Sequence, residues 1–281
     1  MAQQPKRVLI IAGSDPSGGA GVQADIKTVT ALGGYAMAAI TALTVQNTRR
    51  VFDVLDVPPD FVAAQIEACV SDIGVDAVKI GMLPNAAVVA AVASALADVT
   101  APIVLDPVLI ATSGDALADG TVAAALIEKL APRAAIITPN TDELSALTGG
   151  APVRNEAEVR RAAERLCAAG AKAVLAKGAH LPGESVVDAL VYADGARRFQ
   201  GERIGTHPLH GTGCTLASAI ATRLAQGKSI DLAVAAAIEY VRCAIRAAQP
   251  LGQGARPLGA WHDADTEDGA ENGEMAERRS T

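Results

Sequence analysis

The stretch His210-Gly211-Thr212-Gly213-Cys214-Thr215 leads directly into an apolar run with helical spacing. Two glycines let successive backbone N–H groups turn inward, and the start of a helix adds the positive end of its dipole, so the segment reads as an anion hole. Cys214 stands where that dipole should lower a thiol pKa. Asn140-Thr141-Asp142-Glu143 also begins a helix. An amide oxygen and a carboxylate three residues apart share one helical face and could hold a hydrated Mg²⁺ beside phosphates, since Mg²⁺ keeps most of its waters. The same two residues also form an ordinary helix N-cap pattern. Lys177, followed by Gly178, offers an ammonium to phosphate. Asp25, early in the first helix, reads as a substrate contact or as a helix-dipole acid.

The elements that must position these groups follow from hydrophobic periodicity. Short apolar strands are expected over residues 8–12, 35–45, 51–57, 77–80, 103–105, 135–138 and 173–176, with a hairpin over 186–193 and 196–200 around Asp194-Gly195. Helices are expected over 22–32, about 58–71, 85–97, 120–130, 141–147, 156–169, 215–225 and 230–248. Strands alternating with helices imply an α/β chain with a mostly parallel sheet covered on both faces. Ligands of such a sheet bind at the carboxyl ends of its strands. The segments there are polar or Gly-rich: 13–21, Gln46-Asn47, Gly81-Met82, Asp106-Pro107-Val108, Pro139-Asn140 and Lys177-Gly178.

Half of the 281 residues are apolar and only 2% are aromatic, so the core must be built from Ala, Val, Leu and Ile. The formal charge is −7, and seven acids against two bases place −5 of it in residues 263–281. The remaining chain is near neutral and has no basic stripe, which argues against a nucleic-acid partner. The expected organisation is one domain over residues 1–262 and an acidic, disordered tail over 263–281. Cys69, Cys167, Cys214 and Cys243 are scattered without metal-ligand spacing. No segment reads as a membrane span or secretory signal, so a cytoplasmic location is expected. Gly19-Ala20-Gly21-Val22-Gln23-Ala24 matches a dinucleotide fingerprint, but the next strand ends at Gln46, where an acid should hold a ribose. Gly227-Lys228-Ser229 lacks the earlier glycine of a phosphate loop.

Taken in order, the segments 12–21, 23–28, 41–43, 46–48, Lys79-Ile80-Gly81-Met82-Leu83, Asp106-Pro107-Val108, Thr138-Pro139-Asn140, Lys177-Gly178 and His210–Thr215 resemble the hydroxymethylpyrimidine/phosphomethylpyrimidine kinase family of the ribokinase-like superfamily. The resemblance covers nearly all of residues 8–262. It implies a ribokinase-like three-layer α/β/α fold and ATP with Mg²⁺. It implies two successive phosphorylations, of the pyrimidine alcohol and then of its monophosphate, in thiamine biosynthesis. It also implies roles. Gln46 reads the aminopyrimidine edge, and Asp25, Gly13, Ala20, Met82 and Val108 line that pocket. Cys214 takes the hydroxyl proton, with Gly211 and Gly213 stabilising the transferring phosphoryl. Lys177, Asn140 and Thr212 meet the ATP phosphates, and Asp106, Glu143 and Asn140 organise Mg²⁺. A homodimer is expected by analogy. A pyridoxal or dual-specificity kinase of the same fold, and a non-catalytic pyrimidine-binding protein, remain alternatives. The segments 204–209 and 251–262 depart from the family pattern.

Overall fold

The computed structural model describes residues 4–259, apart from 111–116, 150–151, 180, 182 and 206. The acidic stretch 263–281 lies outside the described residues.

Nine strands form one sheet. In chain order they are β1 (Arg7–Ser14), β2 (Tyr35–Gln46), β3 (Val51–Asp56), β4 (Ala77–Ile80), β5 (Ile103–Leu105), β6 (Ile136–Ile137), β7 (Val174–Ala176), β8 (Ser185–Tyr192) and β9 (Gly195–Glu202), arranged β3-β2-β1-β4-β5-β6-β7-β8-β9. Strands β2, β1, β4, β5, β6 and β7 are parallel, while β3 at one end and β8–β9 at the other are antiparallel. The parallel strands are continuous apolar runs because both faces are covered. Along β1, Leu9 and Ile11 point to one layer and Val8, Ile10 and Ala12 to the other.

The first layer holds α2 (Pro59–Asp72), α3 (Ala86–Ala95), α4 (Val122–Ala125), α5 (Thr141–Leu147) and α6 (Glu156–Ala168). The second holds α1 (Gly21–Ala31), α7 (Thr212–Ala225) and α8 (Ile230–Arg246). In α7 the small residues Ala217, Ser218, Ala219 and Ala221 are all fully buried. Their size lets the helix lie close over the sheet, which suits a core with few aromatics.

The chain leaves β1 toward β2 on one side and returns to β4 on the other. The crevice beyond the carboxyl ends of β1 and β4 is therefore a topological switch point, the place where such sheets bind ligands.

Three local expectations change. Residues 120–130 do not form one α-helix: α4 passes into a wider π-turn over Leu126–Leu130 and a 3-10 turn over Ala131–Arg133. Pro132 has no N–H with which to continue the α pattern. Helix α7 starts at Thr212 rather than 215, because Gly211 takes the left-handed conformation (φ 85°) and turns the chain directly into the helix. A short parallel pair, β10 (Leu209–His210) with β11 (Arg256–Pro257), was not expected, since two-residue strands carry no periodicity. The hairpin at Asp194-Gly195 is present, and Gly227-Lys228-Ser229 follows the end of α7 with Gly227 at φ 83°, a helix C-terminal glycine.

Candidate active site

A cavity of about 1250 Å³ opens at the carboxyl edge of the sheet. Every sequence-predicted site residue lines it except Asp25. At the β1/β4 end lie Gly13, Ala20, Gln46, Met82 and Val108; in the middle lie Asp106, Asn140, Glu143, Lys177 and Gly211–Cys214. The far end, between β8–β9 and α8, is lined by Ile204, Leu216, Ile238 and Val241. That apolar end was missed at the sequence level, because nothing in the pattern of α8 tells a cavity-facing Ile from a core one.

The middle of the cavity is built from strand ends. Asp106 follows β5 and is buried. Its Oδ1 accepts from Thr138 Oγ1 at 2.9 Å and from Lys177 Nζ at 3.0 Å. Lys177 follows β7 and pairs with Asn140 in an isolated parallel bridge that extends the sheet toward the cavity. Its ammonium also lies 3.7 Å from Glu143 Oε2. Although desolvated, it is held above its ordinary pKa by Asp106 and Glu143. The Glu143 carboxyl is pushed up to about 7 by burial against the pull of Lys177, with Asp106 adding to the rise.

Asn140 and Glu143 form a capping box. Asn140 Oδ1 accepts from the amides of Asp142 and Glu143, both at 2.9 Å, and Glu143 Oε2 accepts from Asn140 N at 2.7 Å. This changes one expectation: the Asn140 amide oxygen is committed to the start of the helix. Two carboxylates, Asp106 and Glu143, still converge on a single ammonium. That surplus of negative charge, with Asp106 Oδ2 holding no hydrogen bond among the described residues, fits a hydrated divalent cation held largely through water.

The anion hole is the first turn of α7. Thr215 N–H makes the first intrahelical bond, to Gly211 O at 2.9 Å. The amides of Thr212, Gly213 and Cys214 therefore have no acceptor within the helix. A Cβ at Gly213 would stand 3.2 Å from Lys177 Nζ, so the ammonium and these amides border the same space.

Two further expectations are corrected. Asp25 does not face the cavity: it is fully buried beneath the floor, 2.7 Å from Lys79 Nζ and 2.7 Å from Ser218 Oγ. Burial pushes the Asp25 carboxyl up against the pull of Lys79 and Ser218. Burial pulls the other way on the Lys79 ammonium, but Asp25, the Cys214 sulfur and Asp106 hold it above its ordinary value. The strand carried a readable signal, since Lys79 is the one charge in an otherwise apolar run. The second correction concerns Cys214. Its thiol is pushed up to about 11 by burial, with Lys79 and the Gly21 N–H pulling down and Asp25 and Asp106 pushing further up. Loss of water and two nearby carboxylates outweigh the helix end.

Two further residues of the pocket wall, Asp15 and His210, are buried. Asp15 Oδ2 lies 2.8 Å from His210 Nε2, and Gln46 Nε2 lies 3.3 Å from that same nitrogen.

The sequence model of phosphomethylpyrimidine kinase matches residues 15–259. The hydroxymethylpyrimidine/phosphomethylpyrimidine kinase of Rhizobium meliloti (strain 1021) is 48% identical over 256 residues, covering 90% of this chain and 96% of the relative. The crystal structure of phosphomethylpyrimidine kinase from Clostridium difficile 630 superposes with a TM-score of 0.74 at 40% identity, covering 84% of this chain and 98% of that one. The ADP complex of Bacillus subtilis pyridoxal kinase superposes with a TM-score of 0.85 at 35% identity, covering 91% and 97%. Sequence, fold and the residues gathered at the sheet edge agree: the chain belongs to the phosphomethylpyrimidine kinase family.

Proposed function

We propose that the protein transfers the γ-phosphoryl of ATP to 4-amino-5-hydroxymethyl-2-methylpyrimidine and then to the resulting monophosphate, giving the diphosphate used in thiamine synthesis. The observation that carries this is one continuous cavity. It has a pocket holding Gln46, Met82 and Val108 at one end, the first amides of α7 in the middle, and an apolar recess beside α8 at the other. The recess suits a nucleoside, and the structural relative from Bacillus subtilis binds ADP. Gln46 offers the paired donor and acceptor of an amide to an aminopyrimidine edge.

Phosphoryl transfer through a loose transition state needs positioning and charge stabilisation more than covalent chemistry. The amides of Thr212, Gly213 and Cys214 face the transferring group, and Lys177, whose ammonium borders the same space, meets its oxygens. Asp106 and Glu143 would hold Mg²⁺ through water, and the ion would neutralise phosphate charge there. Cys214 touches the acceptor oxygen. Because its thiol is protonated at neutral pH, its contribution is orientation before it is proton abstraction. Incubation with ATP, Mg²⁺ and the pyrimidine should yield the monophosphate and then the diphosphate by mass spectrometry. A product that stops at the monophosphate removes the two-step reading.

The Cys214 assignment has a direct check. With a pKa near 11, only about one thiol in a thousand is thiolate at pH 8. Alkylation of Cys214 by iodoacetamide is therefore slow at pH 8 and accelerates as pH rises toward 11. Cys214→Ala lowers kcat about 10-fold to 100-fold, at or below the low end of general acid–base effects. Rapid alkylation at pH 7 would restore the low-pKa base.

The dimer reading gains support from the β2–β3 ribbon. Its inner face carries Thr44 and Gln46 toward the site, while Leu43, Val45 and Leu55 stand on the opposite face, 44%, 60% and 66% exposed. A second copy covering these side chains would brace the pocket wall from behind. Val45→Glu with Leu55→Glu should convert a dimer to a monomer by light scattering, and a wild-type chain that is already monomeric at micromolar concentration removes the reading. Among the described residues no helix is long and apolar enough to cross a membrane.

A further inference from the structure

Asp15, His210, Gln46 and Thr44 form a row of hydrogen-bonding groups along one wall of the substrate pocket. Asp15 is buried, and its carboxylate accepts from Ser17 N through Oδ1, and from Ser17 Oγ and Ala20 N through Oδ2, all at 2.9 Å. A carboxylate that accepts from three donors is ionised. Burial pushes its pKa up, but His210 and Ser17 together outweigh that and hold it below its ordinary value. It has no proton to give, so the proton on the 2.8 Å bond to His210 belongs to Nε2 of the imidazole.

That assignment constrains Gln46. Its amide nitrogen lies 3.3 Å from His210 Nε2, and two N–H donors cannot bond each other. Its amide oxygen lies 3.2 Å from Thr44 Oγ1, whose hydroxyl proton is given to Ser14 O at 2.9 Å. Each end of the amide would then face a group of its own kind. A half-turn about the terminal side-chain bond exchanges oxygen and nitrogen in place. In that orientation the oxygen shares the His210 Nε2–H with Asp15 Oδ2 as the longer arm of a bifurcated bond, and the nitrogen donates to the free lone pair of Thr44. The row is held stiffly. A Cβ at Gly19 would stand 2.4 Å from His210 Cδ2, so the imidazole lies against the glycine backbone. β11 pairs with β10, the strand that carries His210, and the segment before β11 bonds Thr48 through Gly254 N at 3.1 Å and Ala255 N at 2.8 Å.

We propose that Asp15, His210 and Thr44 lock the Gln46 amide with its oxygen toward His210 and its nitrogen toward Thr44, making them the specificity-determining frame of the pocket. The lock rests on the proposed role of Gln46 as reader of the acceptor ring. It admits a ring that presents a hydrogen-bond donor on the His210 side and an acceptor on the Thr44 side. A 4-aminopyrimidine, with its amino group and adjacent ring nitrogen, has that order. The corresponding 4-oxopyrimidine, with a carbonyl and a ring N–H, has the reverse order and is accepted only if the amide turns over. Asp15 and His210 are positioning residues here, acting on the ring through Gln46.

The test compares kcat/KM for 4-amino-5-hydroxymethyl-2-methylpyrimidine and for its 4-oxo analogue in the wild-type enzyme, His210→Phe and Thr44→Val. Phenylalanine keeps a ring against Gly19 and removes the N–H, and valine keeps the shape of threonine and removes the oxygen. The wild-type enzyme prefers the amino compound by about 10³-fold or more, the scale of discrimination by a site built to hydrogen-bond its substrate. In each variant that preference narrows at least about tenfold, because freeing the amide lets it turn over and read the oxo edge. The absolute kcat/KM of the analogue rises while KM for ATP is unchanged, a shift that general loss of structure does not produce. A preference that holds while both acceptors slow together overturns the lock and leaves the row a purely structural feature. If the wild-type enzyme accepts neither pyrimidine, the substrate reading itself fails and the lock falls with it.

Discussion

Lys177→Met lowers kcat by about 10²-fold to 10³-fold, the scale seen when a preorganised group facing transition-state charge is removed. The ammonium sits between Asp106 Oδ1 at 3.0 Å and Glu143 Oε2 at 3.7 Å, on the edge of the space bordered by the first amides of α7. Its loss has two consequences of the same sign. On the proposed function the transferring phosphoryl loses an adjacent ammonium, and two buried carboxylates are left without the counter-charge between them. Glu143, already pushed up to about 7, then takes up a proton more readily, which weakens its hold on the hydrated cation. Arginine does not restore the rate, because its broader guanidinium has to fit where the ammonium already lies against Gly213. Single-turnover transfer with saturating ATP reads the effect. A loss confined to KM for ATP, with kcat intact, would place Lys177 in ground-state binding alone.

Lys79→Met has its largest effect on stability. The side chains of Lys79 and Asp25 are both fully buried and 2.7 Å apart. Removing one member leaves an unpaired charge in the core and costs about 3–5 kcal/mol. The double variant Lys79→Met, Asp25→Leu removes both charges and recovers most of that loss, though Ser218 forfeits its bond to Asp25. Urea unfolding of the two single variants and the double variant gives the coupling directly. Additive losses would show that the two side chains are not coupled in the folded protein. The single variant also removes the positive charge that holds the Cys214 thiol down, so alkylation of Cys214 becomes slower still.

These two lysines illustrate what the sequence does and does not disclose. The alternation of short apolar runs with helices was enough to give the α/β layers, and the polar residues at strand ends were enough to gather nearly the whole site. That worked because strand direction in a parallel sheet collects those ends on one edge. Asp25 escaped because helix position says which residues are near a loop but not whether a side chain points at the cavity or at Lys79 beneath it. The thiol of Cys214 escaped because its pKa is set first by burial and then by Lys79, Asp25 and Asp106, all of which it meets only in the folded chain. Asn140 and Glu143 fit the N-cap reading, as a capping box that also places the Glu143 carboxylate at the cavity. The π-turn after α4 and the β10–β11 pair are too short to leave a period. The far recess depends on which face of α8 the β8–β9 hairpin leaves uncovered, a tertiary fact.

The most direct test of the central claim is ADP release from ATP and Mg²⁺ by the purified protein, with hydroxymethylpyrimidine, its monophosphate or pyridoxal as acceptor. The account predicts turnover with both pyrimidines and a kcat/KM for pyridoxal at least about tenfold lower, because pyridoxal lacks the amino donor beside a ring nitrogen that Gln46 would read. Turnover with pyridoxal and with neither pyrimidine would contradict the substrate assignment while leaving the family and fold in place.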